Sequence, residues 1–214
     1  MKALSFSRIT FADLTRLVDI CQVTDDAVFD EWFGYAYPLN TSEEELLRSL
    51  IAEHRPFMLS YSEDELKMKF LAPLLNAVHF HERNVRDWYQ RPLKAIIHQV
   101  TLSGYVDFMV AKGVKAPETP YFFIQEFKKS KFDVDPEDQL LAEMLVAMSL
   151  NQKTLMHGAY IIGPEWRFVI LQQAAAQKYE YYVSLLFDAS NNDDLRRIYS
   201  NLQAVKAFFC QDDV

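Results

Sequence analysis

Tyr105-Val106-Asp107-Phe108-Met109-Val110-Ala111 and, past a loop with Gly113 and Pro117, Tyr121-Phe122-Phe123-Ile124-Gln125-Glu126-Phe127-Lys128 decide how this chain reads. Both runs are apolar and rich in β-branched and aromatic residues, the pattern of buried strands. Each also carries a carboxylate. A buried carboxylate is costly unless it is paired, hydrogen-bonded or bound to a metal. Residues 126 and 128 are two apart and so share one face of a strand. If the runs form a hairpin about the eight-residue loop Lys112 to Thr119, position 107 lies opposite 124. Alternation then puts Asp107, Glu126 and Lys128 on one face. Two carboxylates beside an ammonium suit a hard cation such as Mg²⁺, which prefers oxygen ligands and keeps several waters. The lysine would orient or deprotonate a water, or stabilise charge on a phosphoryl oxygen. A structural ion-pair cluster at a sheet edge is the alternative reading.

Upstream, Ala95 to Leu102 reads as a strand, with Ser103-Gly104 as a turn leading into Tyr105. Glu82 to Pro92 reads as a polar and aromatic link. Ser62-x-x-Glu65 is a capping box opening a helix from Glu65 to Leu75, which Pro73 would kink or weaken. The first 60 residues read as helical: Phe11 to Cys21, Val28-Phe29 with Trp32-Phe33, and a helix capped by Ser42 and Glu45 that ends before Pro56. Downstream, a helix from Pro136 to Leu150 precedes strands Gly158 to Ile162 and Arg167 to Leu171, joined at Gly163-Pro164-Glu165. Tyr181 to Phe187 reads as a further strand, and a closing helix starts near Asp193-Asp194. The expected organisation is an N-terminal helical cap over residues 1–60, followed by an α/β core over residues 61–214. That core has a mixed central sheet flanked by helices.

Half of the 214 residues are hydrophobic and 14% are aromatic, enough to bury a sizeable core. No apolar run reaches about 18 residues, and Met1 to Phe11 lacks an apolar signal core, so the reading is cytoplasmic with no membrane partner. Cys21 and Cys210 have no metal-type spacing. The net charge of -8 argues against a protein that coats nucleic acid nonspecifically. The balance is local, however. Met1 to Ser60 holds 5 basic and 10 acidic residues, whereas Lys112 to Lys131 holds 5 lysines against Glu118 and Glu126.

Asp107 followed by Glu126-Phe127-Lys128 across a hairpin resembles the PD-(D/E)XK nuclease superfamily, and the order of elements resembles its α-β-β-β-α-β, restriction-endonuclease-like core. The resemblance covers residues 62 to 171. It implies Asp107 and Glu126 as metal ligands, the Phe127 carbonyl as a third, and Lys128 as the catalytic lysine, with Mg²⁺ as the cofactor and Mn²⁺ as its substitute. Glu65 matches the acid that many members carry on the first core helix; its other reading is the capping box. Gln139 matches a glutamine of the exonuclease-like branch, although Glu143 stands where that branch has tyrosine. Val106 stands where the superfamily name calls for proline. Lys129 and Lys131 are phosphate-contact candidates if the cleft opens beyond the strand.

Two functions follow as expectations. One is metal-dependent phosphodiester hydrolysis of nucleic acid, DNA before RNA. The other is a nuclease-like binding or assembly module of weak or absent activity, whose partner or second copy meets the acidic, aromatic N-terminal region. That region contains Phe29, Trp32, Phe33, Tyr35 and Tyr37. His79 and His81 lack a third ligand nearby in sequence. No nucleophilic triad is apparent, and with 5 glycines no phosphate-cradling loop is present.

Overall fold

The computed structural model describes residues 2–128 and 135–210 and shows a mixed α/β architecture around one nine-stranded sheet. Two of its strands, β3 (Val85–Ile97) and β4 (Val100–Lys112), form a hairpin toward one end of the sheet. The turn is His98-Gln99, both with positive φ (45° and 67°), the two-residue loop whose twist matches the strands. The turn expected at Ser103-Gly104 is therefore corrected, since both residues lie inside β4. Gly104 answers to packing instead: a Cβ there would stand 2.6 Å from Cδ2 of Phe6. The link expected over Glu82 to Pro92 is corrected in the same way. Val85 onward is strand, and its proline and charges are tolerated because β3 is an edge.

β5 (Glu118–Lys128) pairs antiparallel with β4, with Met109 opposite Ile124 and Phe108 opposite Gln125. The expected register, 107 opposite 124, is off by two residues. The slip arises at irregularities on either side of Ala111. A two-residue shift preserves side-chain parity, so the inferred shared face survives. From β5 the chain crosses through α6 (Pro136–Asn151) to β6 (Leu155–Ile162), which lies parallel to β5. β7 (Glu165–Ala175) and β8 (Lys178–Val183) continue antiparallel, with the short β9 (Phe187–Asp188) beside β7. The single strand read over Tyr181 to Phe187 is thus split in two.

The N-terminal 60 residues are not all helix. β1 (Lys2–Ser5) pairs parallel with β4, and α1 (Phe11–Leu17) stops where β-branched Val18 turns extended. Asp19–Gln22 then forms β2, an edge strand parallel to β8 that buries Ile20. After the single turn α2 (Asp30–Phe33) comes α3 (Thr41–His54), whose cap is Asn40 with Glu43 and not Ser42 with Glu45. Glu43 is held there because it also accepts the hydroxyls of Tyr37 (2.7 Å) and Tyr199 (2.9 Å), tying α3 to α7 (Asn192–Phe209). Phe29 stacks on Phe33, and Trp32 and Phe33 pack on Phe168, with Trp32 also on Phe123 and Phe33 on Phe187. These rings line the chain's own core and do not form a free surface.

Ser62 and Glu65 do form a capping box, opening α4 (Glu63–Leu66). A π-helical turn over Lys67–Leu71 follows, then α5 (Ala72–Val78). The wide turn lies immediately before Pro73, which cannot donate to an α-ladder. This helical run carries Leu66, Phe70, Leu71, Leu74 and Leu75 into a core that α3 and α7 also line on one sheet face; α1 and α6 cover the other. No helix among the described residues is long and apolar enough to cross a membrane.

Candidate active site

β3 occupies one side of β4 along its length, so β1 and β5 share the other. β1 takes residues 100–103 and β5 takes 108–112. Among the described residues, 104–107 are left without a strand partner on that side, and Asp107 sits at this gap. Its side chain does the work of the missing ladder, with Oδ2 accepting the Phe127 N–H at 3.0 Å. Oδ1 accepts two side-chain donors. One is the Gln90 amide, from a β3 residue of positive φ (49°) placed opposite Asp107; the other is Lys67 Nζ at 3.1 Å. Lys67 also donates to Glu63 Oε1 at 2.7 Å. Through the gap, side chains from both sheet faces meet. Lys67 arrives from the α4 face, while Glu126 points to the α6 face, opposite Phe127.

Glu126 is 1% exposed. Lys128 Nζ lies 2.6 Å from its Oε1, and among the described residues Oε2 has no hydrogen-bond partner. Burial and then the charge of Asp107 push the Glu126 carboxyl up to about 8. Glu143, fully buried on α6, accepts Gln139 Nε2 at 3.0 Å through Oε1 and has no partner for Oε2 among the described residues. Burial, reinforced by Glu126, holds its carboxyl far above the ordinary range. Burial works against the charged forms of both lysines. The carboxylates beside them win, Asp107 and Glu63 for Lys67 and Glu126 for Lys128, so both ammoniums titrate above ordinary lysine. The lysine side chains are 21% and 26% exposed, which opens the cluster to solvent on one side.

The structure thus brings together Asp107, Glu126, Phe127 and Lys128, with Gln139 reaching the cluster through Glu143. Glu65 stays in its capping box and pairs with Lys69 at 3.0 Å; on this helix it is Glu63 that connects to Asp107, through Lys67. Lys129 and Lys131 lie outside the described residues. Sequence reading missed Lys67, Glu63, Gln90 and Glu143. Glu143 did leave a signal, a carboxylate on a helix otherwise lined by Leu140, Leu141, Ala142, Met144 and Leu145. Among the described residues no three His, Cys, Asp or Glu side chains stand close enough to hold a metal by themselves. A site there would need backbone and water oxygens as well. A cavity of about 550 Å³ lies at the far ends of β5 and β6, lined by Lys112, Tyr121, Asn151, His157 and Phe209, away from the carboxylates. The sequence matches no protein-family model and no curated protein.

Proposed function

We propose that the cluster binds a divalent cation, Mg²⁺ or Mn²⁺, and hydrolyses phosphodiester bonds in nucleic acid, DNA before RNA, in the manner of the PD-(D/E)XK superfamily. The observation that carries this reading is the meeting of buried Asp107 and Glu126 at the gap in the sheet, with the Lys128 ammonium 2.6 Å from Glu126. The element order supports it: a helical run over residues 63–78, then β3, β4, β5, α6 and β6. Among the described residues, four carboxyl groups (Glu63, Asp107, Glu126, Glu143) face two ammoniums, and Oε2 of both Glu126 and Glu143 is buried without a donor. A hard cation fits that surplus of acidic oxygen. Asp107, Glu126 and the Phe127 carbonyl would hold it. Once bound, it would lower the pKa of a coordinated water and neutralise a phosphoryl oxygen.

The chain's own residues would do the rest. The Phe127 N–H and Gln90 amide fix the orientation of Asp107, so its carboxylate is pre-organised. Lys128, tethered to Glu126 and partly exposed, would hold the attacking water or the phosphoryl oxygen by an N–H donor. One observation favours the second reading, a binding module of weak activity: both Asp107 oxygens already accept donors.

Incubation with plasmid, single-stranded DNA and RNA in Mg²⁺ or Mn²⁺ separates the two. Cleavage is expected, falling about 10²–10⁴-fold in Lys128→Met. Mn²⁺ binding without cleavage of any of the three would exclude the enzyme and leave the module.

A further inference from the structure

Lys67 holds Asp107 Oδ1 from outside the strand hairpin, and it holds Glu63 at the same time. The contacts differ in setting. The Asp107 side chain is 10% exposed, whereas Glu63 is 37% exposed and lies one helical turn away on the same helix. We infer that Lys67 is a tethered counter-ion that occupies the cation position at Asp107 and must give way for a divalent cation to bind. This inference rests on the cation-site reading above.

A buried carboxylate left unpaired is strongly destabilising, so a site that waits for a diffusible cation needs an internal substitute. The Lys67 ammonium serves, and its second partner makes the exchange cheap: on leaving Asp107 it keeps Glu63 at 2.7 Å on the solvent side. Lys128 is different, because its ion pair with Glu126 lies inside the cluster. The π-helical turn that starts at Lys67 and the approach of its ammonium to the Phe127 ring (5.7 Å) set the reach of the side chain. With Oδ2 of Asp107 taken by the Phe127 N–H, a cation would have to bind at Oδ1, where the ammonium sits and like charges repel. Lys67 therefore sets a threshold of cation concentration below which the site stays neutralised and idle.

Calorimetric titration with MnCl₂ of the wild type, Lys67→Met and Lys69→Met tests this. Methionine keeps the aliphatic stem and removes the ammonium. Lys69, paired with exposed Glu65 at 3.0 Å, offers the same charge loss on the same helical run away from Asp107. Lys67→Met is expected to bind Mn²⁺ about tenfold or more tightly than wild type, and Lys69→Met to match wild type. Without metal, Lys67→Met is expected to melt below wild type, and saturating Mn²⁺ to close or reverse that gap. Wild-type or weaker affinity in Lys67→Met overturns the inference while leaving the cation site standing. Equal tightening in Lys69→Met overturns it in favour of bulk charge. Absence of Mn²⁺ binding in all three, with native circular dichroism, removes the cation reading and the inference together.

Discussion

Asp107→Ala is expected to lower the free energy of unfolding by about 3–5 kcal/mol and to abolish the stabilisation that Mn²⁺ gives the wild type. The size follows from what the carboxylate holds. Its two oxygens accept the Phe127 N–H, the Gln90 amide and the Lys67 ammonium, so truncation strands the first two donors and leaves the ammonium with Glu63 alone. The Phe127 N–H is the costliest, because it lies inside the sheet, where the ladder between β4 and β5 has already ended. Asp107→Asn is no conservative control. All three partners are donors, and an amide –NH₂ would face at least one of them. Urea unfolding without metal measures the first effect, and melting with and without Mn²⁺ measures the second. A variant as stable as wild type would mean that these bonds are not made, and an unchanged Mn²⁺ shift would remove Asp107 from the cation site.

Stability is expected to fall as pH rises between 4.5 and 8, by about 3–5 kcal/mol, because the folded chain holds the Glu126 proton more tightly than the unfolded chain does. The raised carboxyl contributes stability that is complete below the ordinary glutamate value and is lost as pH passes about 8. Glu143, also raised, acts in the same direction. Glu126→Gln keeps the shape and removes the titration, so its stability profile is expected to be flatter. At the alkaline end of this window, Mn²⁺ is expected to stabilise the wild type, since a cation can replace the lost proton, and to leave Glu126→Gln unmoved. Denaturant midpoints across the pH series decide the matter. A wild-type profile as flat as that of the variant would refute the assignment of a buried, proton-holding Glu126.

The site was legible in the sequence to the extent that strand parity carries it. Asp107, Glu126 and Lys128 stood out as charges in apolar runs, and their shared face survived a two-residue register error because parity repeats every two residues. Ser62 and Glu65 read correctly as a cap because that contact is local. The partners of Asp107 were not legible. Lys67 lies 40 residues away and Gln90 lies 17 away, and no periodicity links them. Gly104 misled because a glycine needed for close approach to Phe6 looks like one needed for a turn. Asp19–Gln22 misled because a four-residue edge strand is too short to break a helical pattern, and its pairing with β8 is a tertiary event. Asn40 won over Ser42 as the cap through hydroxyls from Tyr37 and the distant Tyr199.

The most direct test is a crystal soaked in Mn²⁺, with anomalous difference density recorded at the manganese edge. The cation-site account predicts a peak between Asp107 and Glu126, with Lys67 turned from Asp107 toward Glu63. A map with no peak there, and with Lys67 still on Asp107 at saturating Mn²⁺, would contradict it and make the cluster a structural ion-pair network.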